Sequence, residues 1–405
     1  MNIALVNHFD SQGGAARAAY RLHHALRDCG VNSRMYVCKQ TIADPSVQGP
    51  TSFAAKLYLR LGAALMDRLL NSRSDGGYRS LAILPGSFGA AVKRDDIDIV
   101  HLHWINAEMM SISEVGAIKK PTVWTLHDMW AFCGYEHYAL SDRWTRGYKY
   151  SWRVPMNWTE NIDAWTWRRK KSSWKRPINI VCPSQWLATC VRGSALMKDW
   201  PVTVIPNAID TETWAPVDRL VAREVLGLRQ DVPLVMFGAW GGSRDPRKGF
   251  DLLQEALCGL ERICPDAELV VLGQSAPERS KGGMAVHYIG HLHDDISLRL
   301  LYSAVDVVVI PSRSENLPNA GLEAHSCGTP VVAFATGGLP DVVDHLVTGY
   351  LAHPFDAEEL GHGIQWVLEH PDRRQLRDAA RLRAVSLWSN QAVGKRYVDL
   401  YQSIL

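Results

Sequence analysis

Ser314-Glu315-Asn316-Leu317-Pro318-Asn319-Ala320-Gly321-Leu322-Glu323 lies between two apolar runs, Val305 to Ile310 and Val331 to Phe334. Each run reads as a buried strand. A loop through Pro311-Ser312-Arg313 holds Glu315, and a short helix is expected to begin at Pro318 or Asn319 and to close at Cys327-Gly328 before Pro330. In a doubly wound sheet, ligands bind beyond the carboxyl ends of the strands, and a helix N-terminus there offers N–H groups and a positive dipole end to an anion. Glu315 ahead of the helix and Glu323 inside it flank such a site. The bland alternative is an ordinary helix with Glu323 solvated and Glu315 at a favourable N-terminal position.

Outward from this stretch, apolar runs alternate with amphipathic segments of helical length, the pattern of an α/β chain with parallel sheets. A first series of strands is expected at Ile3 to Val6, Arg34 to Val37, Ile97 to Leu102, Thr122 to Leu126 and Ile178 to Cys182. A second is expected at Val202 to Ile205, Leu234 to Phe237, Leu269 to Leu272, Val286 to Ile289, Val305 to Ile310 and Val331 to Phe334. Three closing helices follow at Glu358 to Leu368, Asp372 to Val385 and Asn390 to Ile404. Two nucleotide-fold units are therefore expected, spanning 1–201 and 202–389, divided where Trp-Pro and Ile-Pro-Asn punctuate the pattern.

The bulk properties agree. A chain of 405 residues, 47% hydrophobic and 21% charged, suits two domains at roughly 100 to 200 residues each. No apolar run approaches the roughly 20 residues that span a bilayer, and the first residues read as a strand and not a leader, so a cytoplasmic location is expected. Eight cysteines without C-x-x-C spacing suggest reduced, structural thiols and no zinc site. The net charge of +2 hides an asymmetry: residues 1–200 carry 26 Lys+Arg against 16 Asp+Glu, the remainder 18 against 26. A polyanionic or membrane-surface partner for the first half follows from that.

The Glu315-x7-Glu323 pair resembles the signature of glycosyltransferase family 4. The likeness extends through Cys-Gly-Thr-Pro-Val-Val-Ala from Cys327, Gly337-Gly338-Leu339-Pro340-Asp341-Val342-Val343 and Thr348-Gly349-Tyr350-Leu351. It implies a GT-B fold of two facing Rossmann-like domains, with the acceptor on the first, the donor on the second, and the last helix, 390–405, packing back on the first. It also implies a hexosyltransferase that works with retention, without a metal or other cofactor, on a nucleotide sugar. The acceptor expected is a glycan or a lipid-diphosphate-linked oligosaccharide in cell-surface polysaccharide biosynthesis, at the inner face of the cytoplasmic membrane; nucleic acid is not an expected partner. A nucleotide-sugar epimerase of the same fold, or a non-catalytic glycan- or nucleotide-binding relative, remains the alternative.

The resemblance also assigns residues. Glu315 and the stretch Asn316, Leu317, Asn319, Ala320 and Gly321 would hold the donor sugar and phosphates, and Glu323 the ribose. Lys248, in Arg244-Asp245-Pro246-Arg247-Lys248-Gly249, would stabilise the departing diphosphate, with Arg244 its expected companion and Arg247 the other candidate. Gly13-Gly14 resembles the donor-side loop of the first domain, and His127, in Thr-Leu-His-Asp, the histidine that reaches the donor sugar; His103 is a fainter candidate at another strand end. Without that context Lys248 is a solvated basic turn, Gly13-Gly14 a turn and His127 a satisfied core histidine.

Residues 143–176 fit this pattern least, with ten Arg/Lys, two acids and six tryptophans. Such a composition suits an anionic membrane interface, a sugar-stacking acceptor site, or a surface excursion whose tryptophans pack on the core. The helical segment Lys56 to Leu70, apolar on much of its circumference with basic edges, fits docking and a core helix equally.

Overall fold

The computed structural model describes the chain except residues 72–77, 87–93, 140, 150–157, 239–244, 276–283 and 293. It divides into two compact units, one of residues 1–206 with 393–405 and the other of residues 207–392.

The first unit holds a seven-stranded sheet, every neighbouring pair parallel: β1 (Asn2–Phe9), β2 (Asn32–Lys39), β3 (Val47–Gln48), β4 (Ile99–Leu102), β5 (Thr122–Thr125), β6 (Asn179–Cys182) and β7 (Val202–Val204), in the order β3-β2-β1-β4-β5-β6-β7. β7 corrects the sequence reading. The run at Val202, expected to open the second unit, pairs with β6 through Ile180↔Val202 and is the edge of the first sheet. The division accordingly falls after Pro206 and not after residue 201. The last helix, Asn390–Ile404, is tied into this unit from Val393 onward. Its Tyr397 and Tyr401 hydroxyls bond Thr125 Oγ1 at 2.9 Å and His101 Nδ1 at 2.6 Å.

The second unit holds six parallel strands: β8 (Leu234–Gly238), β9 (Glu268–Leu272), β10 (Val286–Gly290), β11 (Val307–Ile310), β12 (Val331–Phe334) and β13 (Gly349–Ala352), in the order β10-β9-β8-β11-β12-β13. Alternation along these strands feeds two cores. Met236, Val308 and Ala333 enter one, while Phe237, Val309 and Val332 enter the other, so the sheet is apolar on both faces and covered by helices on both. Both sheets reverse their winding at one place, between β1 and β4 and between β8 and β11, the switch point at which open α/β sheets bind ligands.

The tryptophans of the basic stretch turn partly inward, whereas Arg146, Lys149, Arg168, Lys171, Lys175 and Arg176 stay exposed. Trp167, Lys170 and Trp174 recur at i, i+3 and i+7 on and just beyond the helix Trp158–Ser173, and all three are buried. The Lys170 ammonium donates to the carbonyls of Trp130, Cys133 (3.1 Å) and Gly134 (2.7 Å) and lies over the Trp130 ring. Trp144 packs against the same core, whereas Trp165 is 40% exposed with the Arg169 guanidinium stacked on it. Trp152 lies outside the described residues, as does the Trp158 side chain. Trp174 also donates Nε1–H to Ile112 O at 2.8 Å. Trp174→Ala is expected to destabilise the unit by about 3–5 kcal/mol, read as a lowered Tm, with no effect on binding to lipid vesicles. All eight cysteines are free thiols, and among the described residues no helix is long and apolar enough to cross a membrane.

Candidate active site

β8 and β11 lie side by side, and the loops leaving their carboxyl ends build one cluster. After β8 the chain reaches a 3-10 turn, Pro246–Lys248, started by the Asp245 carboxylate accepting the Arg247 N–H at 2.9 Å. Gly249 ends it with φ +67, and a Cβ there would sit 1.9 Å from Pro311 O, so the approach of the two loops needs glycine. Hydrogen bonds stitch the loops together. Arg313 N donates to Arg247 O at 2.8 Å, Arg247 Nη1 to Ser314 O at 2.9 Å, and the Arg313 guanidinium grips Asp251 through bonds of 2.8 and 2.6 Å.

Glu315 is the centre of this cluster. Its side chain is buried, and Oε1 accepts from Lys248 Nζ and from Ser312 Oγ (3.2 Å), with Arg247 Nη1 3.3 Å away. Burial by itself would raise its pKa, but Lys248 and Arg247 outweigh that and hold the carboxyl below the usual range. Its backbone is fixed as well. Gly338 N donates to Glu315 O at 2.9 Å, and Gly337, at φ +58, passes so close that a Cβ would stand 2.2 Å from that oxygen. The Gly337-Gly338 pair therefore acts as a backbone rest for Glu315.

The helix Asn319–Ser326 follows, with Pro318 at its N-cap and no side-chain cap hydrogen bond. Asn316, Leu317 and Gly321 are buried, while Asn319 and Ala320 are half-buried. Asn207 Nδ2 donates to Leu317 O and Asn319 Oδ1, each at 3.3 Å, bracing the turn into the helix. Glu323 is buried in the helix and its Oε2 accepts from the Tyr302 hydroxyl at 3.1 Å. The structure thus gathers Glu315 and Lys248 on adjacent loops, and places Glu323 about one turn inside the helix that follows Glu315.

Arg244, the expected companion of Lys248, lies outside the described residues. Arg247, the other candidate, is the arginine at Glu315. Ser312, Tyr302 and the Gly337-Gly338 rest were not singled out as site residues; proximity of Gly337 to the Glu-x7-Glu loop is a long-range contact with no local sequence signal.

In the first unit the switch point gathers a second group. Gly13, at φ +88, is the N-cap of the helix Gly14–Asp28 and supplies no side-chain cap. His103 follows β4 and His127 follows β5; His103 Nδ1 and His127 Nε2 are 3.0 Å apart with the rings stacked at 5.3 Å. Burial lowers the His127 pKa to about 4, so at neutral pH it is an uncharged imidazole. A small open recess is lined by His103, Trp104, Asn106, His127, Asp128 and Trp130 among others, and His103 Nε2 and Asn106 Nδ2 are buried there without a hydrogen-bond partner among the described residues. Asp128 is already engaged by His137 Nδ1 (2.6 Å), Trp104 Nε1 (3.1 Å) and Trp130 N (2.9 Å) and serves the scaffold.

Two parallel sheets wound in this order, one carrying a cationic carboxylate loop before an uncapped helix, define a GT-B glycosyltransferase fold. Residues 12–213 match the family described as Glycosyltransferase Family 4, and residues 234–370 match Glycosyl transferases group 1. The chain belongs to the family-4 glycosyltransferases. It is 30% identical over 215 residues to a D-inositol 3-phosphate glycosyltransferase of Segniliparus rotundus, covering 50% of this chain and 47% of that one. It is 29% identical over 216 residues to a GDP-mannose-dependent monoacylated alpha-(1-6)-phosphatidylinositol monomannoside mannosyltransferase of Corynebacterium glutamicum, covering 49% and 55%. The chain spans about half the length of these curated relatives. Among solved structures, Anabaena Alr3699/HepE in complex with UDP and glucose superposes with a TM-score of 0.67 over 100% of both chains at 17% identity.

Proposed function

We propose that the protein is a retaining, metal-independent hexosyltransferase that takes its sugar from a nucleoside-diphosphate donor held on the second unit. The observation that carries this is the convergence of Lys248 and Arg247 on the buried Glu315 at the switch point, ahead of a helix without a capping side chain. Two cations and a helix N-terminus together offset the charge of a departing diphosphate, the work a divalent ion does elsewhere. Glu315 and the backbone from Asn316 to Gly321 hold the sugar and phosphates. Glu323 takes the ribose hydroxyls, for which an ionised carboxylate is a strong acceptor.

On the first unit, neutral His127 offers a hydrogen bond to a sugar hydroxyl without repelling a cationic transition state. That state is oxocarbenium-like in glycosyl transfer, and attack on the face the diphosphate leaves gives retention, with the leaving phosphate accepting the acceptor's proton. Gly13-Gly14, at a helix N-terminus, is the matching backbone element. The acceptor proposed is a glycan or lipid-diphosphate-linked oligosaccharide for the cell surface. Two matched relatives are described as acting on phosphorylated or lipid-linked inositols, which fits a phosphorylated or lipid-borne acceptor.

Glu323→Gln tests the ribose contact. Loss of one charge-assisted bond is expected to raise the donor KM about 10- to 100-fold with a smaller effect on kcat. Steady-state nucleotide release against donor concentration reads it, and an unchanged KM removes the assignment.

A further inference from the structure

The helix Phe53–Asn71 presents an apolar stripe that stands exposed among the described residues. Phe53 is 80% exposed, Leu57 44%, Leu61 60% and Leu65 54%. These four recur at steps of four residues and so form one line along the helix, about 18 Å long. Ala54 and Ala64 widen the stripe on the same exposed side. The opposite side anchors the helix to the first unit. Leu59 and Gly62 are buried, Gly62 lies against Leu84, and the Tyr58 hydroxyl donates to Pro85 O at 3.0 Å.

Charge identifies what meets this face. Lys56, Arg60 and Arg68 are exposed on the same helix, against the single acid Asp67, in the half of the chain that carries the excess of basic residues. Contiguous apolar surface of this length, rimmed by cations, is the pattern of a helix that lies in the plane of a membrane interface. Its apolar side chains enter the acyl boundary while Lys and Arg meet acidic headgroups. By contrast, Trp144, Trp167 and Trp174 of the 143–176 stretch are committed to the core and have little to offer a lipid.

We propose that Phe53–Asn71 is the element by which the protein docks on a bilayer containing anionic phospholipid. The docking surface lies on the unit opposite in sequence to the Glu315 site and is read by lipid binding alone, so it stands or falls apart from the transfer reaction.

Co-sedimentation with vesicles of mixed phosphatidylglycerol and phosphatidylcholine tests it, with pure phosphatidylcholine vesicles as the comparison. The wild type is expected to bind the anionic vesicles at least tenfold more tightly. The triple variant Leu57→Ser, Leu61→Ser, Leu65→Ser and the double variant Lys56→Glu, Arg60→Glu are each expected to lose tenfold or more, with unchanged Tm because the replaced side chains face solvent. Three outcomes overturn the proposal: no binding by the wild type, equal binding to both vesicle types, or variants that bind as the wild type does. If the triple variant instead converts a dimer to a monomer in sedimentation equilibrium with vesicle binding intact, the stripe is an interface between copies of this chain.

Discussion

Lys248→Ala is expected to lower kcat/KM for the nucleotide-sugar donor by about 100- to 1,000-fold, the usual cost of removing one preorganised group that stabilises developing charge in a water-poor site. The ammonium in the structure is 20% exposed and engaged with Glu315, so it is already placed and partly dehydrated before any phosphate arrives. The substitution acts twice: it removes a cation from the departing diphosphate, and among the described residues it leaves the Glu315 carboxylate with Arg247 and Ser312. The two effects separate in a cycle. Lys248→Ala with Glu315→Gln relieves the unpaired buried carboxylate and is expected to recover Tm without recovering rate. If the single variant keeps wild-type kcat/KM, the cationic role of Lys248 is wrong.

The second large effect is on acid stability. His8, His23, His101 and His103 are among the buried imidazoles of the first unit, and His127 is half-buried. Burial lowers His8, His23 and His127 to about 4, His101 to about 3, and His103 well below 6.5. Each is a base whose folded value lies below its unfolded value of 6.5, so the unfolded chain binds more protons as the pH falls from about 6.5 toward 4. Stability is therefore fully present above 6.5 and falls through that window, by up to about 1.4 kcal/mol per pH unit for each such imidazole. Between pH 7 and 5 the first unit is expected to lose several kcal/mol, with each of these imidazoles contributing about 2 kcal/mol at most. In the second unit, among the described residues, His325 alone is lowered in this way, to about 3. Hydrogen exchange at the two pH values resolves the units. The first should lose protection far more than the second, and equal or absent loss contradicts the account.

What could be read from sequence follows how local each signal is. The strand, loop and helix around Glu315 and Glu323 lie within about twenty consecutive residues, and Pro318 and Gly328 mark the helix ends, so the chain itself announces them. The strand at Val202 was assigned to the wrong unit because its partner, β6, is fixed by tertiary pairing, while the Trp200-Pro201 step looks like a boundary from within the sequence. Arg247 and Arg244 both flank Asp245-Pro246, so sequence neighbourhood does not separate them; the described turn brings Arg247 to Glu315. The tryptophan-rich stretch stays open between a lipid interface, an acceptor site and a packed surface when read by composition, which does not say which way a residue faces. Its i, i+3, i+7 spacing of Trp167, Lys170 and Trp174 was available as a sign of an inward face. Yet a lysine on that face argues against burial until three carbonyls are seen to accept from it. The exposed stripe of Phe53–Asn71 had the converse difficulty, because a helix apolar around most of its circumference does not say which side the fold covers.

The most direct test of the central claim is nucleoside-diphosphate release from UDP-, GDP- and ADP-sugars, with and without a membrane lipid extract, with the anomeric configuration of the product read by NMR. The account predicts that one donor is consumed with the extract present, that nucleoside diphosphate appears in step with glycosylated product, that the new bond keeps the donor's anomeric configuration, and that added chelator changes nothing. No turnover of any donor, or release of a free epimerised sugar without an acceptor, would contradict it.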